Sequence, residues 1–174
     1  DGEVYLYTQF EVADCRRMFA VFEQPDLKAT FAFTVTAPAH WQVLSNTATP
    51  EPQRIDDSRA TWAFEPTERI SCYITALVAG PYDVVRDELV SGGRTIPLGV
   101  FCRRSLTRYL DADEIIDVTK RGFAFFEREF DHPYPFSKYD QVFTPEYNAG
   151  AMENAGCVTY NEVYVFRSRV PEAI

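Results

Sequence analysis

The spacing of hydrophobic and polar residues in the first hundred residues is typical of β-strands. Bulky side chains alternate there with smaller or polar ones at a period of two, as in half-buried strands. The predicted strands are 30–36, 41–45, 59–64 and 73–79. Segments 86–90 and 95–101 flank Ser91-Gly92-Gly93, where glycine can adopt the positive φ of a hairpin turn. This spacing predicts an antiparallel β-sandwich.

The periodicity becomes helical near residue 113. Five residues recur at steps of three and four: Ile116, Thr119, Phe123, Phe126 and Phe130. They predict one buried stripe on a helix from about 113 to 130, with Asp111 and Glu114 forming a capping box at its start. The prolines at 133 and 135 end the helix. Gly122, which costs helix stability, predicts a close neighbour.

This change of periodicity predicts a mainly β fold with a smaller α+β part. We place the division between residues 103 and 104, which gives domains 1–103 and 104–174. Hydrophobic residues make up 46% of the chain and aromatic residues 15%, enough side-chain volume for a packed core.

Charge and hydropathy exclude several partners. The net charge is -9, from 26 acidic and 17 basic residues, and this field repels a nucleic acid. No segment approaches the roughly 20 apolar residues needed to cross a bilayer, and residues 1–3 have no signal-peptide character. We therefore expect a soluble protein without a membrane or nucleic-acid partner.

The four cysteines are spaced too widely for a Cys-x-x-Cys site. They are Cys15, Cys72, Cys102 and Cys157. We predict buried free thiols, which favour a reducing, cytoplasmic location.

Residues 150–154, Gly-Ala-Met-Glu-Asn, are the most informative segment. A glycine allows close approach of a ligand to the backbone, a carboxylate follows, and the next residues, 157–166, alternate like a strand. An extended peptide could add to such an edge while Glu153 binds its terminal ammonium. From spacing alone, a solvated loop glutamate is the more common case.

These five residues resemble the signature of the aminopeptidase N family of zinc peptidases, to which leukotriene hydrolases also belong. Residues 133–136 and 138–140 are similar to the segment that precedes this signature in the family, and residues 7–11, 16–19 and 25–31 resemble its amino-terminal domain. The resemblance runs from about residue 5 to residue 166. It implies a saddle-like antiparallel domain followed by the start of a thermolysin-like catalytic domain.

The resemblance also implies roles for particular residues. Glu153 and Glu11 would bind the α-ammonium of a substrate, and Gln9 would line the first side-chain pocket. Gly150 and Ala151 would meet the peptide backbone. Met152 and Asn154 complete the signature, and we expect them to support the loop. Without the resemblance, Gln9 and Glu11 would share the solvent face of a strand.

Zinc peptidases of this family hold their metal with a His-Glu-x-x-His helix and a later Glu, and this sequence has no such motif. We interpret its two histidines, His40 and His132, as turn residues. We therefore expect a fragment of a zinc aminopeptidase that acts on peptides with a free amino terminus. Its metal ligands, general base and remaining catalytic domain would lie elsewhere in the parent protein, and the fragment alone would bind no metal and be inactive.

Three alternatives stay open at the level of sequence. The chain could be a non-catalytic β-sandwich that binds peptide ends or partner proteins, or an inactive relative. It could also belong to an epoxide hydrolase of the same family.

Overall fold

The computed structural model describes residues 2–168, in which strands predominate. The strands are β1 (Leu6–Tyr7), β2 (Thr34–Pro38), β3 (Gln42–Ser45), β4 (Gln53–Arg54), β5 (Arg59–Ala63), β6 (Leu77–Gly80), β7 (Tyr82–Ser91), β8 (Arg94–Arg103), β9 (Tyr139–Thr144), β10 (Ala151–Met152) and β11 (Cys157–Asn161). The helix α1 spans Ala112–Phe130. Short 3-10 helices cover Cys15–Arg17, Cys72–Ile74, Arg104–Tyr109 and Glu162–Tyr164.

The strands of residues 2–168 form three sheets. Two are antiparallel and three-stranded, in the orders β2-β5-β4 and β1-β6-β3. The third has the order β10-β11-β9-β8-β7 and is mixed, because β9 runs parallel to both β8 and β11. The predicted fold class, mainly β with a smaller α+β part, is confirmed.

The β1-β6-β3 sheet lies between the other two sheets. Val43 of β3 packs in one cluster with Trp62 of β5, whereas the next residue, Leu44, packs in another with Phe101 of β8. Successive side chains of a strand point to opposite faces, so this middle sheet is covered on both sides. The two antiparallel sheets form the predicted sandwich.

Helix α1 covers the far face of the five-stranded sheet. Ile116 packs there with Val100 and Phe143. The predicted stripe is buried only in the first part of the helix, because Phe126 and Phe130 are 55% and 72% exposed. The layers therefore run outer sheet, middle sheet, five-stranded sheet and helix.

The β7–β8 hairpin has the turn that its glycines predict. Gly92 and Gly93 have φ of 52° and 75°, as a two-residue hairpin turn of the I′ type requires. Strand β8 then pairs with β9, so the five-stranded sheet includes residues on both sides of the predicted division at residue 103. The division itself stays a prediction.

Two predicted strands have different bounds in the structure. Strand β2 begins only at Thr34, because Phe31 exchanges hydrogen bonds with Thr67 of a loop rather than with a strand. Residues 72–74 form a 3-10 turn, since the N–H and the hydroxyl of Thr75 both donate to Cys72 O. Strand β9 was not predicted.

Two details predicted for α1 are wrong. Asp111 occupies the N-cap position but its side chain accepts no capping hydrogen bond, because its ψ of 70° lies outside the extended region of a capping residue. Among residues 2–168, no atom from elsewhere in the chain lies within 4 Å of the place that a Cβ on Gly122 would take, so no described neighbour requires that glycine. The helix ends where predicted, and Asp131 adopts a left-handed φ of 48° after it.

Two predictions from composition can be compared with the structure. All four cysteines are free and buried, as predicted. Within residues 2–168, no helix combines the length and the hydropathy that spanning a bilayer requires.

Candidate functional site

Strand β10 is an edge strand of the five-stranded sheet. It pairs with β11 through Ala151↔Tyr160 and Met152↔Thr159, and no strand of residues 2–168 pairs with its other side. Just before it, Gly150 O accepts a hydrogen bond from the N–H of Asn161 at 2.9 Å. Gly150 and Ala151 are exposed. The backbone of this strand is therefore accessible to a ligand.

The residues after Gly150 alternate between surface and core. Met152 and Asn154 are each 1% exposed, whereas Glu153 between them is exposed. The Nδ2 of Asn154 donates to Thr159 Oγ1 at 3.1 Å, which links the loop back to β11. Glu153 is thus held between two buried neighbours, with its carboxylate at the surface.

The β10–β11 loop (residues 153–156) is anchored by two buried side chains from other segments. Asn46 Nδ2 donates to Ala155 O at 2.8 Å, and Lys138 Nζ donates to Gly156 O at 2.7 Å. Gly156 has a φ of 69°, and a Cβ on it would lie 2.4 Å from Asn46 O. Only glycine fits this position without displacing the backbone.

Lys138 is one half of a buried ion pair. Its Nζ lies 2.8 Å from Asp140 Oδ2, and the two side chains are 4% and 2% exposed. No hydrogen-bond donor of residues 2–168 reaches the Asp140 oxygens with good angular geometry, so ion pairs balance this charge. The second one is weaker, with Arg86 Nη1 at 3.5 Å from Oδ1.

Gln9 and Glu11 lie in a loop rather than on a strand. Strand β1 ends at Tyr7, and Glu11 is an exposed turn residue just before the first 3-10 helix. Gln9 is half-buried, and its Oε1 accepts the N–H of Glu11 at 3.1 Å.

The segments that carry Glu11 and Glu153 are both attached to residues 74–77. Thr8 N–H donates to Leu77 O at 3.0 Å, and Ala155 N–H donates to Ile74 O at 3.2 Å. The rings of Tyr7 and Tyr147 lie 4.9 Å apart, which adds a second link between the two segments. The structure therefore brings them into one region of the molecule.

The environment of Tyr147 is consistent with this arrangement. Burial raises the pKa of Tyr147 to about 12, and the negative charge of Glu11 makes a smaller contribution in the same direction. The Tyr147 hydroxyl shares a hydrogen bond of 2.7 Å with Thr159 Oγ1, on the strand that pairs with β10. Tyr147 thus contacts the strand that pairs with β10.

Comparison with known proteins identifies the family. The model of the peptidase M1 N-terminal domain matches residues 1–74, and that of the peptidase family M1 domain matches residues 114–170. Aminopeptidase N of Streptomyces lividans is 59% identical over 99% of this chain. The chain belongs to peptidase family M1. Human aminopeptidase N and Arabidopsis thaliana aminopeptidase M1 are each 34% identical, over 92% and 89% of the chain.

This M1 chain spans a small part of each of these relatives. It covers 20% of the Streptomyces protein, 16% of the human protein and 17% of the Arabidopsis protein. The two family models leave residues 75–113 unmatched, which include β6 to β8.

M1 peptidases are in general zinc-dependent, but residues 2–168 of this chain do not fit a zinc site. They include no group of three or more His, Cys, Asp or Glu side chains arranged to hold a metal ion. His40 and His132 are both exposed.

Sequence reasoning assigned no role in the site to three residues that support the β10–β11 loop: Asn46, Lys138 and Asp140, of which only the last two lie in the segment before the signature that resembles the family. Asn46 lies 109 positions from the loop residue that it contacts, so no local pattern reveals the pairing. The alternation of polar residues around Lys138 resembles a surface segment, although Lys138 and Asp140 are buried.

Proposed function

We propose that the chain is part of a zinc-dependent aminopeptidase that removes the first residue from peptides with a free amino terminus. This piece would supply the amino-terminus clamp, which we define as Glu11 and Glu153. One observation carries the proposal: an accessible edge strand, β10, is followed directly by an exposed carboxylate held between two buried residues.

A peptide substrate would bind as an additional strand. An extended peptide can form main-chain hydrogen bonds with the open side of β10, where Gly150 and Ala151 are exposed. Glu153 follows the strand by one residue, so its carboxylate lies at the end of the bound segment. It would there accept a hydrogen bond from the substrate's α-ammonium.

Two carboxylates suit an ammonium group better than one. The ammonium has three donors and no acceptor, so carboxylates from two segments can both bind it. The attachment of both segments to residues 74–77 supports a joint role for Glu11 and Glu153. Gln9, half-buried beside Glu11, would line the pocket for the first side chain.

The clamp would also provide specificity. An acetylated terminus lacks the ammonium and leaves both carboxylates without their partner, so blocked peptides should be rejected. Binding the terminus at a fixed place also fixes the first peptide bond relative to the reacting groups, which lowers the entropic part of the barrier. Those groups, including the zinc ligands, would belong to the rest of the catalytic domain. A cytoplasmic location stays a prediction.

The proposal is tested with Glu153→Gln in the full-length protein and an aminoacyl anilide as substrate. Loss of a charged hydrogen bond should cost about 1.5–3 kcal/mol, which lowers kcat/KM by about 10- to 150-fold. Glu51→Gln is the matched control, because it removes the same charge from an exposed loop residue. An unchanged kcat/KM in Glu153→Gln would remove Glu153 from the site.

Two further observations separate the alternatives. A His-Glu-x-x-His motif in the sequence after residue 174 would support the peptidase, and its absence there would favour a binding module. Hydrolysis of a lipid epoxide but not of the anilide by the full-length protein would indicate an epoxide hydrolase.

A further inference from the structure

Asn46 makes three hydrogen bonds to the main chain of two other segments. Its Nδ2 donates to Ile74 O at 2.9 Å and to Ala155 O at 2.8 Å, and its Oδ1 accepts the N–H of Ala76 at 3.0 Å. The residue is 4% exposed. One carboxamide thus joins the turn before β6 to the β10–β11 loop.

The space around this contact is tightly filled. Asn46 O approaches Gly156 so closely that a Cβ there would lie 2.4 Å away. Ala155 also donates its N–H to Ile74 O, next to the bond that Ile74 O accepts from Asn46. The β10–β11 loop therefore has little freedom to shift while Asn46 is in place.

Glu153 is the first residue of this loop, and its side chain is exposed. Its position therefore depends on the backbone at Asn154 to Gly156. Asn154 is held by Thr159, and Ala155 by Asn46 and Ile74. Two of these supports are side chains, Thr159 and Asn46, and only Asn46 comes from the part of the chain before residue 104.

We propose that Asn46 is a positioning residue for the amino-terminus clamp. By fixing Ala155, its carboxamide sets the place of the Glu153 carboxylate relative to the substrate's ammonium. This inference rests on the function proposed above, and it adds a residue that does not itself touch the substrate.

Asn46→Asp is the sharpest perturbation, because it keeps the shape of the side chain and removes both donated hydrogen bonds. The new carboxylate would face the carbonyl oxygens of Ile74 and Ala155, and repulsion should displace the loop. Gln53→Glu is the matched control, since it makes the same chemical change at an exposed position of β4.

The experiment is a double-mutant cycle on kcat/KM in the full-length protein, with Asn46→Asp, Glu153→Gln and the double variant. We expect Asn46→Asp to lower kcat/KM at least tenfold in the wild-type background, but less than threefold when Glu153 is already Gln. A residue that acts through Glu153 has little left to disturb once Glu153 is changed. The control should change kcat/KM less than threefold.

Two results would overturn the inference: equal loss from Asn46→Asp in both backgrounds, or less than threefold loss in the wild type. If Glu153→Gln alone has no effect, the proposed function fails instead, so the two failures are distinguishable. Thermal unfolding shows whether each variant is folded. Asn46→Ser, which keeps a hydroxyl able to donate, carries the same cycle if the Asp variant does not fold.

Discussion

The buried pair of Lys138 and Asp140 predicts a large and specific loss of stability in Lys138→Met. Methionine fills a similar volume but leaves the Asp140 carboxylate 2% exposed, with Arg86 at 3.5 Å as the remaining cation of the observed ion pairs. Removing one partner of a buried pair typically costs about 3–5 kcal/mol, because a charge is left uncompensated.

The hydrogen bond from Lys138 to Gly156 O should add little to the loss of stability in Lys138→Met. Gly156 O also loses the hydrogen bond from Lys138, but it keeps the one from the N–H of Asp140 at 3.1 Å. The carbonyl is therefore still satisfied. We expect a free energy of unfolding about 3–5 kcal/mol below that of the wild type.

Adding Asp140→Asn to Lys138→Met provides the decisive comparison. It removes the orphaned charge while keeping the shape, so the double variant should be at least about 1 kcal/mol more stable than Lys138→Met alone. Urea unfolding of the 174-residue chain, followed by circular dichroism, measures all three free energies. If Lys138→Met costs less than about 1 kcal/mol, or if Asp140→Asn adds a further loss, the ion pair does not have the role assigned to it.

Three further predictions concern other parts of the chain. Gly93 and Gly156 share a left-handed φ, but of these two only Gly156 faces a backbone atom of the described residues, because a Cβ there would lie 2.4 Å from Asn46 O. Gly156→Ala should therefore lower the midpoint of urea unfolding clearly more than Gly93→Ala does. Equal effects of the two substitutions would contradict this contact. Burial raises the pKa of Tyr147 from 10.0 to about 12, so between about pH 10 and 12 the folded state keeps a proton that the unfolded chain releases. The free energy of unfolding should therefore fall over this pH range, and Tyr147→Phe should make the fall smaller. The same dependence of stability on pH in Tyr147→Phe and in the wild type would refute this prediction. Burial likewise raises the pKa of Cys157 to about 11, so its thiol should not react with a disulfide reagent at pH 8 until urea unfolds the protein. Mass spectrometry of the peptide that contains Cys157 measures this labelling, and labelling of the folded protein would contradict the prediction.

Local patterns predicted the elements in which burial and polarity alternate regularly. Strands β3 and β5, the β7–β8 hairpin and helix α1 were found in this way. Strand β9 was missed because it contains Asp140 and Gln141, which are buried although they are polar. Their burial depends on partners outside the strand, such as Lys138 and Thr119, which a period-two pattern does not reveal.

The helix shows a different limit of such patterns. Phe126 and Phe130 continue the same stripe of three- and four-residue steps as Ile116, yet the rings of Phe126 and Phe130 are largely exposed. Periodicity identifies the apolar face of a helix, but not how far along the helix its neighbours extend.

The candidate site was predicted only in part for a similar reason. The residues of the signature could be singled out by resemblance, and the structure places Gly150 and Ala151 at an accessible sheet edge. Asn154 was expected to support the loop, and it is bonded to Thr159. Asn46 could not be found as a support, because only the fold links it to the loop.

We propose that Glu11 and Glu153 together recognise a free amino terminus. The most direct measurement is competition binding of a dipeptide amide and its N-acetylated form to the full-length protein, repeated with Glu11→Gln and Glu153→Gln. We expect the wild type to prefer the free amine at least about tenfold, because a charged hydrogen bond is worth about 1.5–3 kcal/mol, and each variant to lose most of that preference. Equal preference in the wild type and both variants would contradict it.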